Sequence, residues 1–280
     1  VHTPRRAPRG PPAALGEGLA INKWRRRGHG QIGMRAAGDR QMQIGKVLDL
    51  IYPPQCVSCR TLVDHGAPLC GTCWAETPFI RGLVCDGCGV PLLGEDVGGR
   101  ALCDDCLAAL RPWLRGRAAL EYRENGRRLV LALKHGDRQD LVRPAAQWMA
   151  GAGRDLVHAQ TLVVPVPLHW LRLVQRRFNQ SAALAPAAAR DLGLAACPAA
   201  LVRRRAAPAQ SGDKAARVQN LEGALQPHPR RGATLAKRDV LLVDDVMTSG
   251  ATLAAAAEAC SRAGAAQISV LTLARVVKDA

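Results

Sequence analysis

The chain has 280 residues, of which 48% are hydrophobic and 22% charged, a composition typical of a soluble globular protein with one large or two modest domains. Its formal net charge is +16, from 39 basic and 23 acidic residues, and such an excess favours partners that carry phosphate. Aromatic residues make up only 3%, which argues against a surface built on stacked bases. The sequence contains no apolar run of the roughly eighteen residues that a membrane span needs.

Part of the positive charge lies near the amino terminus. Residues 1–40 hold nine Lys or Arg against two acidic residues, so +9 remains for the other 240 residues. This stretch lacks the apolar core of a secretory signal, and its Pro and Gly content predicts a disordered basic extension over residues 1–43. We therefore expect a cytoplasmic protein.

Hydrophobic periodicity predicts a short amphipathic helix over residues 44–52 and another helix over residues 127–135. From residue 161 strand and helix patterns alternate, which indicates a parallel α/β sheet. The predicted strands there are 161–166, 240–243 and 267–276, and the predicted helices are 181–192 and 252–263. We expect a cysteine-rich module over residues 44–110 and an α/β domain over residues 111–280.

Eight of the ten cysteines form four pairs with a two-residue gap. The pairs are Cys56/Cys59, Cys70/Cys73, Cys85/Cys88 and Cys103/Cys106. This gap lets both thiolates face one tetrahedral metal, and the segments between successive pairs have the length of a short hairpin. The pattern predicts two consecutive zinc ribbons with two structural zinc ions, and four thiolates on each ion leave no open catalytic position.

Other uses of these cysteines are less consistent with the pattern. Disulfides need an oxidising compartment, and a thioredoxin-like redox motif has one such pair rather than four. An iron–sulfur centre would accept four thiolates, but pairs at hairpin distance favour zinc. An interleaved pairing of the four pairs stays open. Cys197 and Cys260 lie outside the pairs, and we expect both to be core residues.

The stretch VLLVDDVMTSGATL, residues 240–253, joins a buried strand to a polar turn. Asp244 and Asp245 follow the apolar run, where the carboxyl end of a parallel strand opens at the ligand-binding edge of a sheet. The small residues of the following turn, which leads into a helix, are Thr248, Ser249, Gly250, Ala251 and Thr252. Such a turn directs backbone amides and hydroxyls at one anion.

Carboxylates beside an anion site would repel the anion unless they bind sugar hydroxyls or Mg²⁺, so the combination predicts a sugar phosphate. A hydroxyl-rich helix N-cap after a strand is the simpler alternative. It leaves unexplained why two adjacent acids stand at the end of a buried strand, where both charges must be satisfied.

The same stretch resembles, without a gap over residues 240–252, the phosphoribosyl pyrophosphate signature of type I phosphoribosyltransferases. The resemblance implies that Asp244 and Asp245 hold the ribose 2′ and 3′ hydroxyls. It also implies that residues 248–252 wrap the 5-phosphate and that Mg²⁺ accompanies the phosphoribosyl pyrophosphate.

Three more stretches resemble the ComF family, in which a cysteine-rich zinc module is joined to a type I phosphoribosyltransferase-like domain. In residues 163–185 the matches are Pro165, Pro167, Arg172, Arg176, Phe178, Asn179 and Gln180, with Arg177 in place of the family's glycine. In residues 210–225 the matches are Gln210, Arg217, Asn220 and Gly223, with Leu225 in place of phenylalanine. In residues 131–137 Lys134 lies one residue out of register.

The resemblance implies two classes of function. As a phosphoribosyltransferase, the protein would act through Asp244 and Asp245 while cations offset the leaving pyrophosphate. The candidate cations are Arg172, Arg176 and Arg177, with Lys134 and Arg217 as weaker ones; a solvated basic face is the alternative for each. As a binding module, it would hold a phosphoribosyl compound or related nucleotide, or single-stranded DNA, without turnover, or dock to a competence helicase. ComF-like proteins are associated with competence and DNA uptake or processing.

Overall fold

The computed structural model describes residues 53–95, 98–135, 138–168, 179–203 and 223–277. The predicted extension at 1–43 and the predicted helix at 44–52 lie outside these residues. Residues 53–280 belong to one compact unit.

The helices and strands follow one another in chain order. The helices are α1 (Gly71–Ala75), α2 (Asp104–Ala108), α3 (Glu124–His135), α4 (Val142–Ala152), α5 (Gln180–Leu192) and α6 (Ala251–Arg262). The strands are β1 (Arg115–Glu121), β2 (Leu162–Pro165), β3 (Ala195–Ala196), β4 (Leu201–Arg203), β5 (Leu225–Pro227), β6 (Asp239–Met247) and β7 (Gln267–Arg275). Five strands form an all-parallel sheet in the order β1-β7-β6-β2-β3, and β4 and β5 form a separate antiparallel pair. The predicted parallel α/β fold is confirmed.

Sequence patterning did not isolate helices α1, α2 and α4 or strands β1, β3, β4 and β5, and the longest of these strands is β1, at one edge of the sheet. Arg115, Gly116 and Arg117 open it before its apolar part, so the usual alternation of a strand is obscured. Among the described helices, none has both the length and the apolar character needed to cross a bilayer.

Strand β6 is buried on both faces, as its four consecutive branched residues predict. Side chains alternate between the two faces of a strand. Leu241 and Val243 therefore belong to the core that α3, α4 and α5 cover, while Val240 and Leu242 belong to the core beneath α6.

The two cysteine ribbons complete these two cores on opposite faces of the sheet. Cys56 and Cys73 of the first ribbon are buried in the core that contains Leu241. Cys85, Cys88 and Cys106 of the second are buried with Leu242 and α6. Each ribbon thus shares a hydrophobic core with the sheet.

Polar contacts attach the ribbons to the sheet at β1 and α3. The fully buried Asn125, near the start of α3, donates to the Cys73 carbonyl at 3.1 Å and accepts from Ser58 at 2.6 Å. On the second ribbon, the Asp86 carboxylate pairs with Arg115 and Arg117 of β1, with N···O distances of 3.1 and 2.9 Å. Both ribbons are therefore held by specific contacts as well as by packing.

Candidate functional site

The acidic pair lies inside strand β6 rather than after it, which corrects the predicted end of that strand. Backbone pairing with β7 continues through Asp244, opposite Thr272, to Met247, opposite Arg275. Backbone hydrogen bonds to β7 continue beyond the apolar run at residues 240–243. The strand therefore ends at Met247, four residues later than its hydrophobicity indicates. Helix α6 then begins at Ala251.

Asp244 is partly buried and accepts two hydrogen bonds. Its Oδ1 accepts from the Ser181 hydroxyl at 2.7 Å and from the backbone N–H of Asp245 at 2.9 Å. Burial, followed by the neighbouring charge of Asp245, raises the pKa of Asp244 to about 7, while the bond from Ser181 acts in the opposite direction. The carboxyl group therefore changes its charge near neutral pH, as groups at functional sites often do.

Asp245 forms an ion pair with Lys134, the single lysine of α3. Their Nζ···Oδ2 distance is 3.3 Å, and the two side chains are 15% and 19% exposed respectively. The structure thus places Lys134 against the acidic pair, where its charge offsets that of Asp245. A sugar hydroxyl that binds Asp245 must share the carboxylate with this ammonium group.

The turn after β6 is built around Gly250, which is the N-cap of α6. Gly250 has φ +83°, in the left-handed region that glycine adopts without strain. An added Cβ would lie 3.1 Å from the Trp113 ring and 3.3 Å from an Arg111 nitrogen. Glycine is therefore required by both the backbone conformation and the space.

Two arginines hold the carbonyl groups of this turn. Arg275, at the end of β7, donates to the carbonyls of Met247 and Thr248 at 3.2 and 2.6 Å. Arg111 donates to the carbonyl of Ser249 at 2.8 Å. In a trans peptide the carbonyl and the following N–H point in opposite directions. The N–H groups of Ser249 and Gly250 therefore point away from the two arginines. The first N–H of α6, that of Ala251, lies 3.4 Å from the Ser249 hydroxyl oxygen, and the next N–H groups have no acceptor within the helix.

The remaining predicted site residues fall into two groups. Arg172, Arg176, Arg177 and Arg217 lie outside the described residues, as does Phe178. Asn179 and Gln180 are described: the Asn179 side chain caps α5 by accepting from the Ala182 N–H at 3.2 Å. The buried Gln180 lies 3.5 Å from the Lys134 carbonyl, which brings the start of α5 next to the end of α3.

Four residues at the site were not identified from the sequence: Ser181, Arg111, Trp113 and Arg275. Ser181 follows Asn179 and Gln180 directly, and Arg275 is the only charge within the apolar strand QISVLTLAR, so both carried a signal that could have been used. Arg111 and Trp113 lie more than 130 residues before the turn, and no local pattern connects them to it.

The eight paired cysteines form two groups in the consecutive order, not the interleaved one. Cys56, Cys59, Cys70 and Cys73 form the first group, and Cys85, Cys88, Cys103 and Cys106 the second; within each, the sulfur atoms lie within 4.8 Å of one another. The Cys59–Cys70 and Cys88–Cys103 sulfurs are 3.6 Å apart. Thiolates on tetrahedral zinc at about 2.3 Å would be separated by about 3.8 Å, whereas a disulfide requires about 2.05 Å. The geometry supports two structural zinc ions.

The thiols of each group do not ionise alike. Hydrogen bonds from Thr61 lower the pKa of the exposed Cys59 to about 6. A hydrogen bond with Cys88, together with burial, raises the pKa of Cys85 to about 12. Four adjacent thiolates repel one another, so a cation is needed to hold them together, and zinc supplies that charge.

The two cysteines outside the pairs differ from each other. Cys260 is fully buried in α6, as expected for a core residue. Cys197 is only half-buried, with its sulfur 3.7 Å from the Thr234 hydroxyl, so the predicted core position holds for Cys260 alone.

Two family descriptions match the chain: a double zinc ribbon domain over residues 47–107 and a phosphoribosyl transferase domain over residues 179–279. The DNA utilization protein YhgH of Escherichia coli strain K12 is 29% identical over 239 residues, which cover 81% of this chain and 100% of that protein. Proteins of the same name from Salmonella typhimurium strain LT2 and Salmonella typhi are 31% and 32% identical with the same coverage.

A solved structure of the allosteric regulatory enzyme of purine biosynthesis is a more distant match. It is 18% identical, with a TM-score of 0.34, and the match covers 51% of this chain and 30% of that one. The relatives above 30% identity, matched along their whole length, are decisive, and the chain belongs with them to the ComF family.

Proposed function

We propose that the carboxyl end of β6 binds phosphoribosyl pyrophosphate together with Mg²⁺. The observation that carries this proposal is the meeting of two chemistries at one strand end. The carboxylates of Asp244 and Asp245 lie in the last residues of β6, and the amides of Ser249 and Gly250 follow directly in the turn. A phosphorylated sugar offers hydroxyls to the first and an anion to the second.

The ribose would contact the acidic pair. Asp244 Oδ1 already accepts two hydrogen bonds, but a carboxylate has about four acceptor positions, so its other oxygen remains able to accept from a hydroxyl. Asp245 would share its charge between Lys134 and a second hydroxyl. Vicinal hydroxyls, as in ribose, suit two adjacent acceptors.

The 5-phosphate would lie at the turn. The amides of Ser249 and Gly250, the hydroxyls of Thr248, Ser249 and Thr252, and the amino end of the twelve-residue helix α6 are all positive or hydrogen-donating groups. A helix N-terminus with several free N–H groups is a common phosphate site.

Magnesium would arrive with the pyrophosphate. Carboxylate oxygens suit this ion, which usually binds through one or two carboxylates plus substrate phosphates. Asp244 and Asp245 supply such oxygens, but each already has a partner in the protein, so they fit a shared site rather than a cage made by the protein alone. Four arginines would neutralise the pyrophosphate, as the family resemblance implies: Arg172, Arg176, Arg177 and Arg217.

The biological role that the relatives support is the use of DNA, since the curated relatives are named DNA utilization proteins. A ComF-like role in competence and DNA uptake is consistent with that name. The biochemical activity that we propose is binding of the phosphoribosyl ligand.

Gly250→Ala tests the proposal. The wild-type protein should bind phosphoribosyl pyrophosphate in calorimetry, more tightly with Mg²⁺ than without. Gly250→Ala should weaken this affinity by about tenfold or more, because it disturbs the turn that presents the amides. Gly193→Ala is the matched control: Gly193 also has positive φ, at +70°, but a Cβ there would meet nothing within 4 Å, and it caps the far end of α5.

Both variants should lose stability through backbone strain, Gly250→Ala more because its Cβ also crowds Trp113 and Arg111, but only Gly250→Ala should lose affinity. A wild-type protein that gives no binding heat at any Mg²⁺ concentration would rule out the phosphoribosyl site. Equal affinities in the two variants would show that the turn is not the place where the phosphate binds.

A second candidate function, contact with single-stranded DNA, is favoured by an aromatic group on the first ribbon. Trp74 is 44% exposed and stacks on Phe79, with 4.5 Å between ring centroids. The exposed Arg81 guanidinium lies 6.0 Å from the Trp74 ring and 5.7 Å from the Phe79 ring. Although the chain has few aromatic residues, Trp74 and Phe79 lie together beside the Arg81 guanidinium, so that a base could stack on Trp74 next to a cation.

Trp74→Ala should lower the affinity for a single-stranded oligonucleotide by about tenfold, the effect expected for one lost base stack. Leu62→Ala is the control, because it removes another exposed apolar side chain from the same ribbon. Fluorescence anisotropy at several salt concentrations would measure both, and wild-type affinity should fall steeply with salt. A flat salt dependence, or equal losses in the two variants, would exclude this surface as a DNA site.

A further inference from the structure

Two side chains connect the second cysteine group to the turn that follows β6. Arg111 lies between the cysteine group and the turn. Its Nε is 3.4 Å from the Cys106 sulfur, and its Nη1 is 2.8 Å from the Ser249 carbonyl oxygen. Trp113 makes a parallel connection. Its indole N–H donates to the carbonyl of Gly87, inside the Cys85–Cys88 knuckle, at 2.6 Å, and its ring edge lies against Gly250.

These contacts can transmit a displacement of the second cysteine group to the turn. Trp113 is only 5% exposed, and the Arg111 guanidinium stacks near its ring with 5.7 Å between Cζ and the centroid. Close-packed, hydrogen-bonded side chains transmit displacements because they cannot be compressed. A shift of the Cys106 sulfur or of the Gly87 carbonyl would therefore move the groups that hold Ser249 and Gly250.

Electrostatics favours the same arrangement. A zinc ion with four thiolates carries a net charge of −2, which the buried surroundings must offset. Arg111 contacts one of these thiolates directly, and its fork geometry lets separate N–H groups serve the sulfur and the carbonyl at once. Loss of the metal would release the cysteine geometry that fixes one end of this fork.

We propose that metal in the second cysteine group sets the conformation of the turn at residues 248–252 through Arg111 and Trp113, so that binding of the phosphate ligand depends on this metal and not on that of the first group. The part concerning ligand binding rests on the proposed function. Arg111 and Trp113 are positioning residues here, since they act on the ligand through the turn.

The first cysteine group offers matched controls. Arg138 donates to the carbonyl of Val57, inside the first knuckle, at 2.7 Å, just as Arg111 contacts the second group. The first group packs on the other face of the sheet, in the core formed with α3, α4 and α5. Arg138→Gln and Arg111→Gln therefore each remove one arginine contact to a different cysteine group, to a knuckle carbonyl in the first and to a cysteine sulfur in the second.

Hydrogen–deuterium exchange gives a readout that needs no ligand. In the zinc-loaded protein, the amides of Ala254 and Val276, which donate to the carbonyls of Gly250 and Met247 at 2.8 and 3.0 Å, should exchange about tenfold faster in Arg111→Gln than in the wild type. This is the effect expected when the turn between these two carbonyls loses a charge-assisted hydrogen bond. Arg138→Gln should leave these amides unchanged. Trp113→Phe, which keeps an aromatic ring but loses the N–H donor and the indole edge next to Gly250, should move them in the same direction by a smaller factor.

Metal content provides the second arm. Cys103→Ser and Cys59→Ser should each reduce bound zinc from two ions to one, measured by mass spectrometry of the metal. Affinity for phosphoribosyl pyrophosphate with Mg²⁺ should fall by about tenfold or more in Cys103→Ser and clearly less in Cys59→Ser. Arg111→Lys, which keeps the charge but not the fork, should restore only part of the affinity lost in Arg111→Gln.

The outcomes separate the two proposals. If the wild type does not bind phosphoribosyl pyrophosphate, the proposed function fails, and the exchange rates alone decide whether the metal site positions the turn. If the exchange of the Ala254 and Val276 amides is the same in Arg111→Gln, Trp113→Phe and the wild type, the inference is overturned whatever the protein binds. Equal loss of affinity in Cys103→Ser and Cys59→Ser would also overturn it.

Discussion

Asp244→Asn should make the folded protein more stable at neutral pH while it weakens the binding of phosphoribosyl pyrophosphate. Burial raises the pKa of Asp244 to about 7, since the interior disfavours its charge, and the nearby Asp245 adds repulsion. Asparagine keeps an oxygen that can accept from the Ser181 hydroxyl and the Asp245 N–H but carries no charge. We expect a gain of about 2 kcal/mol, or roughly 4–8 °C in melting temperature, above pH 7.

The sign of the pH dependence follows from the direction of this shift. The folded protein binds the Asp244 proton more tightly than the unfolded chain does, so the favourable contribution of the protonated group is fully present below the unfolded pKa. It is lost as pH rises through about 7. As pH rises from the unfolded pKa of the carboxyl group to above about 7, the melting temperature of the wild type should therefore fall relative to that of Asp244→Asn.

Ligand binding should respond in the opposite direction. Only the ionised carboxylate forms charge-assisted bonds to ribose hydroxyls, so wild-type affinity should increase as pH rises through about 7. Asp244→Asn should bind about tenfold to a hundredfold more weakly above that pH and should show little pH dependence. Calorimetry and thermal melts at several pH values measure both effects.

Asp191→Asn serves as the control, because Asp191 is an exposed carboxylate on α5. It should change neither the pH dependence of stability nor the affinity. If Asp244→Asn lowered stability and left the affinity intact, Asp244 would be a structural residue and the assignment of the ribose site would be wrong.

Loss of one zinc ligand should destabilise the whole described unit and not only a ribbon. Each cysteine group contributes buried residues to one of the two cores on opposite faces of the sheet, and Cys85 is fully buried in the core beneath α6. Cys85→Ser should therefore lower the free energy of unfolding by more than about 5 kcal/mol, because the binding energy of structural zinc is folding energy. A loss of this size is comparable to the total stability of many domains.

Cys260→Ala is the matched control, since Cys260 is equally buried but lies outside both metal groups. Its substitution should cost only about 1 kcal/mol for the lost packing. Scanning calorimetry should show one transition for Cys85→Ser, lower by about 10 °C or more, together with one zinc ion per chain.

Two results would contradict this expectation. An unchanged main transition beside a small early one would mean that the ribbon unfolds independently of the sheet. Purified wild-type protein with almost no metal, and with eight thiols that react freely in the native state, would remove zinc from the structure altogether.

The sheet illustrates how far local patterns reach. The apolar run at residues 240–243 predicted a strand buried on both faces, because burial of consecutive side chains requires cover on both sides, and the structure has this strand. Where the strand ends was not predictable, since backbone pairing with β7 continues through two acidic residues whose composition favours a turn. Hydrogen bonding to a neighbouring strand outweighs local preference there.

The sequence by itself determined the chemical groups of this protein: four CxxC pairs for metal, an acidic pair, and a glycine turn that opens a helix. Each is a local spacing of side chains, and thiolate, carboxylate and glycine chemistry hardly depends on the rest of the chain. Only the tertiary structure decided how the groups are joined. It paired Lys134 with Asp245, placed Ser181 on Asp244, and set Arg111 between a zinc ligand and the turn. These contacts connect segments that lie far apart in sequence, so they exist only once the sheet has brought the strand end, the helices and the ribbon together.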